Sequence, residues 1–285
     1  ECSMPIISFV NNRKEETGKT MSLVAIATYM AINHNKRILI ISTTNQEDRI
    51  RKCFFEEKQA KKLRLGIFGE NKSAFENESG IEGIAKIARS NKLTPDMITN
   101  YTKVVFKDRL EILLGAENLK DQVEKEIAEE YIDVINLANS YYDTVFVDLD
   151  NNVGEEIKEK IVKISDLVIV NSSQNYSSLK KLKENKEKNE LLKSPKSLIL
   201  IGRYDKYSKY NSKNITRFLE EKNQVLTVPY NTLYFEATNE AGVPDFFLKL
   251  RRIADSDDRN VIFLDEIKRD TENIIYRIQE LQTIM

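Results

Sequence analysis

Gly18, Lys19 and Thr20 place a flexible backbone, a cation and a hydroxyl side by side where a polar stretch gives way to an apolar one. Those residue types in that order suit a polyphosphate with its magnesium ion. Free N–H groups at a helix N-terminus face the anion, the lysine reaches the terminal phosphates, and the hydroxyl takes the metal. Thr17 and Met21 flank the tripeptide and belong to the same candidate site. The strict phosphate-loop pattern asks for a glycine five residues before Gly18, and that position is Arg13. Lys14 stands five residues before Lys19 instead, giving K-E-E-T-G-K-T with lysines at its first and sixth positions. Glu15 and Glu16 occupy positions where glycine would allow close backbone approach to phosphate and positive φ; their carboxylates set like charge beside a polyphosphate. A G-K-T tripeptide also has a plainer reading, as the capped start of a helix.

Asp148 is the second candidate. Within the stretch Tyr142 to Asp150 it ends the apolar part, so a strand there delivers a carboxylate to the edge of a sheet where open parallel sheets bind ligands. In that place it would hold magnesium through water or fix a switch, with Asp150 to Asn152 as the adjoining loop. The alternative is ordinary strand punctuation, since aspartate is a common turn residue. Arg203, just past the run Ser197 to Ile201, either lies over a base or is a solvated arginine. Other chemistries are closed off by composition. His34 is the only histidine, which removes histidine triads and ordinary zinc sites. The two cysteines, Cys2 and Cys53, form no C-x-x-C pair, which argues against a disulfide framework or a cysteine-ligated cluster. Carboxylates, lysines and backbone are left to do the work.

The elements that must position these groups are legible from apolar runs. Ile6 to Val10 and Ile38 to Ile41 read as strands buried on both faces, with a helix over Thr20 to Asn33 between them. Strand, helix and strand in so short a span make a βαβ unit, hence a parallel sheet with a right-handed crossover. Further strands are expected at 65–68, 109–115, 142–150, 165–171, 197–201 and 224–231. Helices are expected at 49–62, from Gly83 to Ala88, from Thr94-Pro95-Asp96 with proline in the first turn, and over 119–139 and 172–184. Near the end, Val261, Leu264, Ile267, Thr271, Ile274, Ile275, Ile278 and Leu281 keep helical spacing over about 259–283. That stripe packs either on its own domain or into a partner seam. With 285 residues, a net charge of −1 and 31% charged residues, a single domain over 4–285 with a mixed surface is expected, and direct binding to nucleic acid or membrane is not indicated. No run of 18 apolar residues and no signal-peptide pattern occurs, so the expectation is a cytoplasmic protein.

The two-lysine loop resembles the deviant Walker A sequence, K-G-G-x-G-K-T, of the ParA/MinD superfamily of P-loop ATPases. The similarity extends from Ile6 to Gly242 in order: phosphate loop, strand ending in Ser42 to Gln46, Asp148 strand, Ser165-Asp166 before a strand, and the Pro229-Tyr230-Asn231, Glu236-Ala237, Gly242 ending. It implies a three-layer, doubly wound, mainly parallel sheet that binds ATP and Mg²⁺. By the same resemblance Lys19 and Thr20 hold phosphate and metal, Asp148 supports the metal, Lys14 crosses a homodimer interface to the partner's nucleotide, and Pro229, Tyr230 and Asn231 frame the base. Lys14 and Asp148 are thus the candidate catalytic residues. The chain departs from the family where Ser42 and Thr44 replace two switch acids, because a hydroxyl cannot accept a proton as an anionic base does, and where Gly202 replaces an asparagine that reads adenine. The implied function is a bacterial ATP-binding switch that positions or assembles a cellular machine with a further protein partner, in secretion, conjugation or partitioning, and is recruited to a pole or membrane-associated machine. The alternative is a non-hydrolysing scaffold of the same fold. Tyr204-Asp205 with Pro229-Tyr230-Asn231 is similar to TadZ/CpaE-like members. A tyrosine kinase on this fold would carry a tyrosine-rich tail, and here the tail has only Tyr276.

Overall fold

A run such as Ile38-Leu39-Ile40-Ile41 has no polar face, so it is stable only between two covering layers. The computed structural model describes residues 4–13, 16–44, 49–56, 80–88, 94–116, 121–251 and 258–284, and within them it places each such run in one sheet. The chain proceeds β1 (Ile6–Asn11), α1 (Lys19–Asn33), β2 (Ile38–Ser42), α2 (Arg49–Phe54), α3 (Ile81–Ala88), a 3₁₀ helix (Pro95–Asn100), β3 (Lys103–Phe106) and β4 (Leu110–Leu113). It continues α4 (Asp121–Asn139), β5 (Thr144–Asp148), α5 (Glu155–Ile164), β6 (Leu167–Ser172), α6 (Tyr176–Lys188), α7 (Glu190–Lys193), β7 (Ser197–Tyr204) and α8 (Ser212–Phe218). Last come β8 (Leu226–Pro229), α9 (Thr232–Ala237), α10 (Val243–Leu250) and α11 (Arg259–Ile284).

The strand order is β3-β4-β2-β5-β1-β6-β7-β8. Every pairing is parallel except β3 with β4, which is an antiparallel hairpin at one edge. From β1 the chain first moves to β2 on one side, and later crosses from β5 over β1 to β6 on the other. The order therefore reverses at β1, and the crevice beyond its carboxyl end is where such a sheet takes a ligand. One face carries the core of α1, α10 and α11, with Leu23, Ile26, Phe247, Phe263, Ile267 and Ile274 fully buried against Phe9, Ile40 and Phe146. The other face holds α4 and α5 over Val145 and Val147, and α6 and α8 over Val168 and Ile199; Val10 and Val162 touch both of these clusters. The three-layer, doubly wound, mainly parallel sheet expected from the sequence is the fold of the chain.

Several local expectations shift. The β3 hairpin strand was not anticipated; its turn contains Asp108 at φ 58, a left-handed conformation that aspartate tolerates better than most residues. The helix expected from Thr94 is a single 3₁₀ segment. Ser172 ends β6, and α6 begins only at Tyr176, because Asn175 caps it by accepting from the Ser178 N–H at 2.8 Å. The strand at 65–68 and the far part of the 49–62 helix lie outside the described residues. On α11 the buried stripe includes Phe263 and Asp270, which the apolar count did not select, and Val261, Leu264 and Ile275 sit at its half-buried margin. The stripe packs on β8 and α1 of its own chain, which decides between the two readings of that helix.

Candidate functional site

The loop after β1 turns into α1 through Gly18, which sits at φ 79, ψ 17 as the N-terminal residue of the helix. Only glycine takes that left-handed conformation freely. No acidic residue occupies the first turn of α1, so the positive end of a 15-residue helix faces the crevice with no carboxylate in its own first turn to offset it. Thr17 is held beneath by donating its hydroxyl to Asn11 Oδ1 at 2.5 Å. The end of β7 presses against this loop. A Cβ on Gly202 would lie 2.2 Å from the Thr17 carbonyl oxygen, so no larger residue fits there. The absence of an asparagine at this position therefore has a steric cause. Arg203 follows at φ 52, a strained value for a side-chain-bearing residue. Its Cγ is 3.4 Å from where a Cβ on Gly18 would stand, which lays the arginine along the loop.

Asp148 ends β5 directly under the start of α1. Its Oδ1 is 2.7 Å from Lys19 Nζ, and both side chains are nearly buried, 7% and 9% exposed. Its Oδ2 accepts from the Thr20 hydroxyl at 2.7 Å. Lys19 also donates to the Leu149 carbonyl. The backbone around the carboxylate is fixed by Thr43, whose N–H and hydroxyl both reach the Asp148 carbonyl at 3.2 Å, and whose hydroxyl accepts from the Asp150 N–H at 2.8 Å. Ser42 lies beside Asp148 in the β2–β5 register and is buried. No carboxylate reaches the crevice from the end of β2 within residues 42–44.

These groups line a cavity of about 610 Å³, within the range of small-molecule sites. Thr17, Gly18, Lys19, Thr20, Met21, Asp148 and Arg203 all contribute to it, so the structure brings together most of the residues selected from the sequence. Lys14 lies outside the described residues. Pro229, Tyr230 and Asn231 are not in the cavity wall. Asn231 caps α9 by accepting from the Tyr234 N–H at 2.8 Å and donates to Asn260 Oδ1 at 2.9 Å, while the exposed Tyr230 packs its ring 6.2 Å from that of Phe235. The wall there is made by α9 and the turn after it, through Phe235, Thr238 and Asn239. The expected base loop thus acts one element removed, by holding the helix that faces the cavity. Sequence reasoning also missed Asn11 and Arg49. Asn11 was open to discovery as the polar residue ending β1; nothing in the sequence marks Arg49. At the mouth, Glu16 bonds Arg49 at 2.9 Å and lies 3.4 Å from Arg203. Arg49 first, and Arg203 second, hold its carboxyl below the ordinary glutamate range.

The donor set fits the groups that the sequence implied. A hydroxyl and a carboxylate oxygen at 2.7 Å are hard ligands, and magnesium takes one or two protein oxygens and completes its shell with water and phosphate. Among the described residues no group of three or more His, Cys, Asp or Glu is placed to hold a metal ion. The open helix start, the left-handed glycine and Lys19 suit the phosphates. Among the described residues no helix is long and apolar enough to cross a membrane.

The sequence matches no family model and no curated protein. Solved structures do match. A ParA family ATPase from Chlorobium tepidum TLS superposes with a TM-score of 0.65 at 13% identity, over 92% of this chain and 97% of that one. The septum site-determining protein MinD of Pyrococcus horikoshii OT3, complexed with Mg-ADP, gives 0.62 at 13% identity over 95% and 97%. A Borrelia burgdorferi B31 protein assigned to plasmid partition, bound to AMPPNP, gives 0.60 at 16% identity over 95% and 99%. The chain has the ParA/MinD-type P-loop ATPase fold.

Proposed function

We propose that this chain binds Mg-ATP at the start of α1 and works as a ParA/MinD-like dimeric switch that positions or assembles a larger protein machine. The observation that carries the reading is the Lys19, Thr20 and Asp148 cluster, set beneath a left-handed glycine at an open helix N-terminus. In the bound state Lys19 leaves Asp148 for the phosphates. Thr20 and Asp148 hold the metal, which when bound offsets phosphate charge. Phe235 supplies an apolar face near the base or ribose, and Arg203 lies along the phosphate loop. Lys14 reaches across a homodimer interface to the partner's nucleotide. The neighbouring structures bound to Mg-ADP and to AMPPNP support the choice of ligand. A cytoplasmic protein recruited to a pole or membrane-associated machine, through an as yet unidentified protein partner and in the manner of TadZ/CpaE-like proteins, is the finer form of this proposal.

Turnover is expected to be slow. A carboxylate near the attacking water could take its proton, and Ser42 and Thr44 offer hydroxyls instead. Asp150 is the nearest substitute, but its Oδ1 already accepts from the Asn152 N–H at 2.8 Å. The second reading, a non-hydrolysing scaffold that binds nucleotide and dimerises, is favoured by this same observation. Titrating Mg-ATP into wild type and Lys19→Ala, with heat, dimer mass and phosphate release followed together, tests both. Binding and dimerisation in wild type alone are the expected result, with phosphate release separating switch from scaffold; no nucleotide binding by wild type would end the proposal.

A further inference from the structure

Three of the cations that line the cavity already face carboxylates of the chain itself. Lys19 is committed to Asp148, while Arg49, from the first residue of α2, and Arg203, from the end of β7, meet on Glu16. Glu16 is two residues before Gly18, and its two oxygens are shared between the arginines, Oε1 to Arg49 Nη2 and Oε2 to Arg203 Nη2. All three residues belong to the cavity wall. Arg203 reaches this position from a strained, left-handed backbone and lies against the glycine of the phosphate loop. Two arginines from elements on opposite sides of the loop thus converge on one anion at its mouth.

We propose that Arg49 and Arg203 form a clamp for the polyphosphate of the nucleotide, and that Glu16 is an internal stand-in for phosphate, a latch that occupies the clamp until the nucleotide displaces it. The inference rests on the nucleotide-binding reading above and adds to it two clamp residues and a competitor. Carboxylate and phosphate oxygens present the same acceptors to a guanidinium fork, and the polyphosphate carries the greater charge. The magnitudes suit a latch. Glu16, Arg49 and Arg203 are 62%, 68% and 43% exposed at their side chains, and exposed ion pairs are individually weak and screened by salt. Glu16 therefore lowers affinity without closing the site. Released by ligand, the two arginines are tied to the same anion, which draws α2 and the β7 end together over the phosphate loop. Glu16 then has a role that a glycine at its position could not fill: it holds the arginine pair assembled while the site is empty.

The test is calorimetric titration of Mg-ATP and of magnesium with inorganic triphosphate into wild type, Glu16→Gln, Glu16→Gln/Arg49→Gln, Glu16→Gln/Arg203→Gln and Lys19→Ala, each checked by thermal melting. Glu16→Gln is expected to bind both ligands about three- to tenfold more tightly at low salt, with the gain shrinking as salt rises. Either double variant is expected to lose that gain. Triphosphate is the diagnostic ligand because it has no base: a gain for Mg-ATP alone would mean that the arginines serve the base or ribose, and would overturn the clamp. Unchanged or weaker binding in Glu16→Gln, with Lys19→Ala inactive, would overturn the latch and leave the nucleotide site standing. Failure of wild type and Glu16→Gln to bind either ligand would end both readings.

Discussion

Two residues in the crevice show how far side-chain identity is constrained by what surrounds it. Lys19 and Asp148 are each almost fully enclosed and 2.7 Å apart, so removing one leaves the other as an uncompensated buried charge. Lys19→Ala is expected to lose about 3 kcal/mol of stability as well as nucleotide binding, because a broken buried pair costs more than an exposed one; chemical denaturation midpoints, with and without Mg-ATP, check both effects. Asp148→Asn keeps an acceptor for Thr20 but leaves the buried Lys19 without its counter-charge, so it is expected to lower stability too, and Mg²⁺ should cease to improve nucleotide affinity. Gly202 is constrained by space alone. Its substitution by alanine sets a Cβ 2.2 Å from the Thr17 carbonyl, and the loop must shift. Gly202→Ala is expected to weaken Mg-ATP binding at least tenfold with a near-native circular dichroism spectrum.

At the scale of elements, α11 and β8 form one unit. β8 is an edge strand, and its exposed hydrogen-bonding side would be a template for another chain. The helix covers it: Asp270 accepts the Thr227 N–H at 2.8 Å, and Glu266 accepts the Thr227 hydroxyl at 3.0 Å. Burial pushes the Asp270 carboxyl up to about 8 from 3.8, with Arg269 and the Thr227 N–H pulling weakly the other way and Glu266 adding to the rise. The folded state thus keeps a proton that the unfolded chain releases above about pH 4. This contribution to stability is fully present below that pH and is lost as the pH rises through about 8. The melting temperature is expected to fall across that window, and Asp270→Asn should flatten the fall; melts from pH 4 to 9 check it. The contacts at the cavity mouth, between α2, the phosphate loop and the β7 end, are by contrast exposed ion pairs.

For the molecule as a whole, the crevice joins β1, β5, α1, α2, β7 and α9, elements spread from residue 11 to residue 239. A ligand held by all of them stabilises the entire sheet rather than one loop. At a hundredfold excess over its dissociation constant, bound Mg-ATP would add roughly 2.7 kcal/mol to the folded state, equivalent to about 4 to 5 °C in melting temperature for a chain of this size. Wild type is expected to show that shift in a single transition, and Lys19→Ala is expected to show none.

The sequence alone determined the layering of this protein, because apolar runs without a polar face must be buried on both sides and their alternation with helices calls for a parallel sheet covered by helices; the doubly wound order came from the resemblance. It also pointed to the residues that the fold brings into one cavity. Asp148 ends one strand and Gly18-Lys19-Thr20 follow the loop after another, and the carboxyl ends of parallel strands share one edge. The tertiary structure alone decided what stands around those residues. Arg49 and Glu16 are 33 residues apart and became partners only when α2 packed beside the phosphate loop. Gly202 looked like the loss of a base contact and is a requirement of close packing against Thr17. Pro229 to Asn231 pointed to the right neighbourhood but hold α9 in place instead of lining the cavity. Local sequence records propensity and periodicity, which act within an element; these three outcomes depend on how separate elements approach one another, and that is set by packing across the whole sheet.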